Sequence, residues 1–273
     1  LCENKAVTVD GVFASKNHRM RVGEVVEVAV PTPVSLCAMP EDLPIDVGFQ
    51  DEHLMVVDKP QGMVVHPAPG NPGGTLVNAL LHHNRFLSGI NGVIRPGIVH
   101  RIDKDTSGLL VIACDDRTHL GLAEQFAKHS IDRVYYAVVH GNVRNDTGKI
   151  AAPIGRHQTD RKKMCVTQKS ARSATTHYEV IERYQSHTLL RLRLETGRTH
   201  QIRVHMAYIG HPVAGDRVYG PSKPEFGLTG QCLHAAILGF VHPVTGQNMR
   251  FESPLPKHFR DFISRLKKES EFA

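Results

Sequence analysis

No apolar run in this sequence approaches the length needed to cross a bilayer, and no nucleotide-binding signature of the GxGxxG or GxxxxGK[ST] kind occurs. A membrane span and a nucleotide cofactor are therefore not expected. The five cysteines, Cys2, Cys37, Cys114, Cys165 and Cys232, are odd in number and scattered, with no Cys-x-x-Cys. That argues for free thiols in a reducing, cytoplasmic setting rather than a disulfide frame or a zinc ribbon. There are eighteen histidines but no His-Glu-x-x-His, and the nearest helical pair, His200 and His205, is five residues apart. That spacing does not put both on one helix face, so no metal is expected. The chain opens Leu1-Cys-Glu-Asn-Lys5, neither a signal peptide nor an initiation site, so a trimmed N-terminus is expected.

What is present reads as a globular chain of 273 residues, 41% hydrophobic and 22% charged. The net charge of +6 is unevenly spread: between Lys149 and Arg203 twelve Lys and Arg face four acids. Positive charge gathered in one stretch suggests a polyanion partner. A merely solvated basic face is the plain alternative.

Along the chain, Val7 and Val9 alternate with polar residues, Asp10-Gly11 is a turn signal, and Gly23 to Val28 alternates again. With Lys16, His18, Arg19 and Arg21 between, residues 1–30 resemble the C-terminal half of an S4-type RNA-binding module. Pro31, Pro33, Pro40 and Pro44 make 31–44 a linker. Residues 45–273 form the main domain. Its expected strands are 45–49, 54–58, 109–113, 134–140, 173–184, 187–195, 233–241 and 248–252. Its expected helices are 75–84, with Thr75 as N-cap, then 117–129 behind Asp115-Asp116, 199–210 with Thr199 as N-cap, and 256–268. Residues 216–231 read as loop. Strands and helices do not alternate regularly, so the fold class is α+β.

The richest stretch is Arg95-Pro-Gly-Ile-Val-His-Arg-Ile-Asp-Lys-Asp-Thr-Ser-Gly-Leu-Leu-Val-Ile-Ala113. Its wholly apolar end reads as a strand buried on both faces. Asp103, in the tight turn before it, is a carboxylate at the mouth of that strand. An Asx-type turn serving only the backbone is the plain reading. Asp103 to Gly108 partly fits a calcium loop, but the position that needs Glu is Cys114 in the buried strand. A phosphoaspartate site fails too, because there the apolar strand precedes the Asp. Thr196-Gly-Arg-Thr-His-Gln-Ile-Arg-Val-His205 supplies two cations, Arg198 and Arg203, either of which could keep Asp103 ionised. Alternation sends Tyr135 and Tyr136 to opposite faces of one strand, so only one can reach a cleft.

These residues resemble a known family. His100-Arg-Ile-Asp-Lys-Asp-Thr-Ser-Gly-Leu-Leu-Val111 resembles the signature of the RluA-type pseudouridine synthases. Lys59-Pro-x-Gly62, Arg133-Val-Tyr135-x-Ala and Gly197-Arg-Thr-His-Gln-Ile-Arg203 are similar to its other motifs, in family order. Gly155-Arg-His157, Asp160-Arg-Lys-Lys163, His234-Ala-Ala and His242-Pro are most similar to members that modify large-subunit rRNA. The resemblance implies a mixed, mainly antiparallel sheet with flanking helices and a central RNA-binding cleft. It implies isomerisation of uridine to pseudouridine, without cofactor or metal: the N1–C1′ bond breaks, the base turns, and C5 is joined to C1′. Asp103 is the implied nucleophile, at ribose C1′ or uracil C6. Arg203 is its implied partner, and Tyr135 stacks on the uracil and assists the last proton removal. Arg101 fills the gap left by the flipped base, while Arg156, Arg161, Lys162, Lys163 and Arg198 hold RNA. The implied partner is large-subunit rRNA, at helix 69, in a pre-ribosomal particle; another rRNA site or a tRNA is the alternative. A nucleoside glycosylase and an RNA-binding assembly factor are the rivals from other classes.

Overall fold

In this computed structural model the chain is described apart from residues 1–6, 16, 30–37, 69, 84–86, 91–95, 161–162, 222–224, 226 and 272–273. It divides into two compact units, Leu1–Leu36 and Cys37–Ala273, and the division falls inside the Pro-rich stretch. In the first unit β1 (Val7–Val9) lies between β2 (Val12–Phe13) and β3 (Val26–Val28), both antiparallel to it. Asp10 and Gly11 turn the β1–β2 hairpin with positive φ of 47° and 75°, which a β-branched residue resists. No described helix is long and apolar enough to cross a membrane.

The second unit is built on a nine-stranded sheet. Its strands are β4 (Asp46–Gln50), β5 (Leu54–Lys59), β6 (Ser107–Ala113), β7 (Asp132–His140), β8 (Thr147–Ala151), β11 (Thr175–Arg183), β12 (His187–Leu194), β13 (Leu233–Val241) and β14 (Asn248–Glu252). The order is β4-β5-β6-β13-β7-β12-β11-β8, with β14 paired to β13. Every pairing is antiparallel except β13 with β6. A separate hairpin pairs β9 (Ile154–Arg156) with β10 (Met164–Val166). The expected strands are therefore present, while β8, β9 and β10, of five, three and three residues, are additions too short for periodicity to announce.

Helices cover both faces, which is why β6 is buried at all seven positions. Met55, Val57, Leu110 and Ile112 pack with Leu76 and Leu80 of α1 (Leu76–His83) and Ile202 and Met206 of α3 (Gln201–Tyr208). Leu54, Val56, Leu109 and Val111 meet Leu122 of α2 (Asp116–Ala127) on the other side. There too, Val138 and Leu189 pack with Phe259, Phe262 and Leu266 of α4 (Lys257–Glu271). Burying each of those three anchors stabilises by about 1.5–3 kcal/mol. Thr75 and Asp115 cap α1 and α2: their side chains accept from the backbone N–H of Asn78 and Thr118 at 3.4 and 2.8 Å.

Thr199 does not cap α3. The N-cap is His200, left-handed at φ 56°, and no side chain bonds the helix end from that position. Gln201 ties the turn instead: its Oε1 accepts from Arg198 N–H at 3.0 Å and from the Thr196 hydroxyl at 2.8 Å. A Gln inside the first turn reaching backwards leaves no cap signature in the sequence.

Candidate active site

Two early motifs meet in one turn. Lys59, at the end of β5 and wholly buried, donates from Nζ to the carbonyls of Pro60, Met63 and Lys104 at 2.8, 2.8 and 3.0 Å. The Gly62 N–H donates to the same Lys104 carbonyl at 2.9 Å. Gln61 Nε2 donates to Asp105 O at 3.1 Å. Lys59-Pro-Gln-Gly62 thus grips Asp103-Lys-Asp105 from beneath, and the Thr106 N–H closes the turn on Asp103 O at 3.1 Å. Burial pulls the Lys59 ammonium down to about 7, against the opposing pull of Asp105 and Asp103.

Downstream, Ser107 Oγ and His234 Nδ1 lie 2.9 Å apart across the parallel β6–β13 contact. A Cβ on Gly108 would lie 2.6 Å from Ala235 N and closer still to its carbonyl oxygen. With φ +117°, the position requires glycine. His100 accepts the Val111 N–H on Nε2 at 3.0 Å and stacks on Phe126 at 4.5 Å. Burial, then the charge of Arg133, pushes its pKa to about 3, so it is neutral at pH 7.

The turn presents Asp103 to a cavity of about 470 Å³ whose walls include Arg101, Phe126, Arg133, Tyr135, Gly197 and Arg198. That size suits a small-molecule group, about 300–1,000 Å³. Behind it, a pocket of about 60 Å³ adds His200 and Arg203 around the same carboxylate. Arg203 Nη1 donates to Asp103 Oδ2 at 2.9 Å. Its Nε and Nη2 donate to Asp216 Oδ2 and Oδ1 at 2.6 and 2.9 Å. Burial alone would depress the Arg203 pKa, but the bonds to Asp216 and the charge of Asp103 raise it. Burial would raise Asp216, yet Arg203 and the N–H groups of Val218 and Tyr219 hold it below the ordinary carboxylate value. Asp103 Oδ1 stands 3.8 Å from His200 Nε2, beyond hydrogen-bond distance. His200 Nδ1 lies 2.8 Å from the Tyr219 hydroxyl. Its pKa is lowered, chiefly by burial, so it brings no full charge at pH 7.

Of the two cations open to Asp103 on sequence, Arg203 is the one that meets it; Arg198 donates from Nε to Ser173 O at 3.0 Å. Tyr135 faces the cavity, and its phenol pKa is raised by burial. Tyr136 packs on the opposite face with the α4 cluster. Arg101 is exposed at the cavity wall. Arg156, on β9, lines a separate hollow of about 310 Å³ that shares Gly197, Arg198 and Thr199 with the main cavity. Lys163 lies beside Asp160 at 4.0 Å. Arg161 and Lys162 lie outside the described residues. Sequence reasoning missed Asp216 and Tyr219, single residues of a long loop with no periodicity to mark them.

Among the described residues one group could hold a metal ion: His140, His187 and Glu225, whose ligand atoms lie within 4.8 Å of one another. It lies outside the cavity, with Glu225 Oε2 at 3.4 Å from His140 Nε2 and 3.8 Å from His187 Nε2.

Residues 53–208 match the family model described as RNA pseudouridylate synthase. The chain is 52% identical over 262 residues to an uncharacterized RNA pseudouridine synthase of Bacillus subtilis, covering 96% of this chain and 86% of that one. It is 51% identical over 239 residues to the ribosomal large subunit pseudouridine synthase D of Zymomonas mobilis, covering 84% and 75%. Among solved structures, human RNA pseudouridylate synthase domain containing 4 superposes with a TM-score of 0.63 at 25% identity, over 81% of this chain and 93% of that one.

Proposed function

Because this chain belongs to the RNA pseudouridylate synthase family and is an enzyme that converts uridine in RNA to pseudouridine, we propose a division of labour within its cleft. Asp103 is the nucleophile, and it attacks ribose C1′ or uracil C6. The N1–C1′ bond breaks, the freed uracil turns, C5 bonds to C1′, the C5 hydrogen passes to water and N1 takes a proton. Atoms balance without an oxidant or a co-reactant. A carboxylate suits the task because it attacks and later leaves. The observation that carries this reading is the one-sided grip on Asp103. Arg203 holds Oδ2 at 2.9 Å and, among the described residues, no hydrogen bond reaches Oδ1, so one oxygen stays open toward the cavity.

Tyr135 stacks on the uracil and assists the final loss of the C5 proton. The base must leave its helix first, and Arg101 occupies the gap it vacates. Arg198, Arg156 and Lys163, with Arg161 and Lys162, hold RNA phosphates, and the unit Leu1–Leu36 adds RNA contacts as a partial S4-like module. The substrate is large-subunit rRNA at the helix 69 stem-loop, met in a pre-ribosomal particle; the name of the Zymomonas relative supports the large-subunit part of this reading. Mapping pseudouridine in rRNA and tRNA from cells lacking the protein tests it. Loss confined to large-subunit rRNA is expected. Loss confined to tRNA overturns the rRNA assignment.

A further inference from the structure

Arg133 is a buried cation with no counter-charge paired to it among the described residues. It sits on β7 and is 8% exposed. Its Nε is buried with no hydrogen-bond partner, and among the described residues its side chain contacts only the Phe126 ring as a charge, at 5.5 Å. A guanidinium taken out of water without an anion is costly. Yet it is not sealed in: it lines the 470 Å³ cavity. Gly197 makes room for it, since a Cβ there would stand 2.6 Å from Nη1. Of the charged side chains around that cavity, Arg101, Arg133 and Arg198 are cationic and Asp103 alone is acidic. The cavity therefore has room and charge for an anion besides the base that meets Asp103.

We propose that Arg133 forms a phosphate-binding subsite that takes the phosphodiester beside the target uridine. The planar fork of a guanidinium matches two phosphate oxygens, and the incoming anion satisfies the orphaned donor. Arg133 and Tyr135 are two apart on one strand and so point to the same face. One side chain holds the backbone while its neighbour holds the base of the same nucleotide. This rests on reading the cleft as the uridine site, but it is tested through binding, so an error over Asp103 as nucleophile leaves the result intact.

The experiment uses an RNA oligonucleotide that the wild-type enzyme is first shown to convert. Its phosphates 5′ and 3′ of the target uridine are replaced, one at a time, by an uncharged methylphosphonate. One replacement is expected to weaken binding to wild-type protein about tenfold or more. Arg133→Met should weaken binding of unmodified RNA to a similar degree and be indifferent to the same replacement, because the two changes remove one contact. The free variant should be as stable as wild type or more so, since an unpaired buried charge gives way to an apolar chain of similar length. The proposal is overturned if both replacements are harmless to wild-type protein, or if Arg133→Met still suffers the full penalty. It is also overturned if that variant binds RNA normally and unfolds earlier, the mark of a purely structural arginine. Should Arg133→Met not fold, the two replacements tested on wild-type protein decide alone.

Discussion

Arg203 meets Asp103 through a single N–H, 2.9 Å from Nη1 to Oδ2, because Asp216 already holds its Nε and Nη2. One cation is thus shared by two carboxylates, one fully buried and one facing the cavity. Asp216 fixes the guanidinium plane and stops it from closing on both oxygens of Asp103. The arrangement pairs the Asp103 carboxylate with a cation and leaves its other oxygen free of that cation.

Removing the shared cation should damage both rate and stability. Arg203→Ala leaves Asp216 buried and unpaired, which costs about 3–5 kcal/mol of folding free energy. Single-turnover pseudouridine formation should fall by about a hundredfold or more, and a urea melt should show the stability loss. Asp216→Asn should slow turnover in the same direction, with RNA affinity changed less than the rate. Wild-type rates in either variant would remove the Arg203 clamp from the chemistry.

Tyr135 can be divided into ring and hydroxyl. Tyr135→Ala should weaken RNA binding by about 1–3 kcal/mol, the worth of one base–aromatic stack. Tyr135→Phe keeps the ring and should bind normally while forming pseudouridine about tenfold more slowly. Equilibrium binding and single-turnover rates separate the two. Unchanged affinity in Tyr135→Ala contradicts the stack, and an unchanged rate in Tyr135→Phe contradicts the role of the hydroxyl.

Lys59 should leave a mark on stability as pH changes. Its pKa is lowered from 10.5 to about 7 in the folded chain. Between those values the unfolded chain binds more protons, so stability rises with pH across that window and is lost as pH falls through about 7. The slope approaches about 1.4 kcal/mol per pH unit in mid-window. Urea unfolding from pH 7 to 10 should show this slope in wild type and a flatter one in Lys59→Met. The slope is the readout, because the variant also strands three carbonyls and is less stable throughout.

Gly108 is where the turn that carries Asp103 enters the sheet. Gly108→Ala would press a methyl into the Ala235 backbone at a φ that alanine resists. Such overpacking costs about 1–3 kcal/mol, with backbone strain in addition. A lowered denaturation midpoint and weaker activity are expected. An unchanged midpoint would mean that the β6–β13 contact is looser than described.

The sheet was legible where periodicity speaks. Leu109 to Ala113 is apolar throughout because helices cover both faces of β6, and Leu190, Leu192 and Leu194 alternate because one face of β12 there is more open. Tyr135 and Tyr136 separate as strand alternation requires. The Asp103–Arg203 pair was half legible: a cation was needed, and two were on offer a hundred or so residues away. Asp216 and Tyr219 were not legible, because a loop residue gains its role from what folds against it. Lys59 looks like a surface lysine beside a proline, and only the fold turns it inward onto three carbonyls. Arg133 fits the alternation of an ordinary strand, and its Nε, unpartnered among the described residues, shows only in three dimensions.

The central claim is that Asp103 does the covalent work. The direct measurement is tritium release to water from RNA carrying uridine tritiated at C5, run with Asp103→Asn beside wild type while RNA affinity is followed separately. No release above background is expected with the variant, and RNA binding within about threefold of wild type, since Asn keeps the size and the Arg203 contact but cannot attack. Release at the wild-type rate from Asp103→Asn would contradict it.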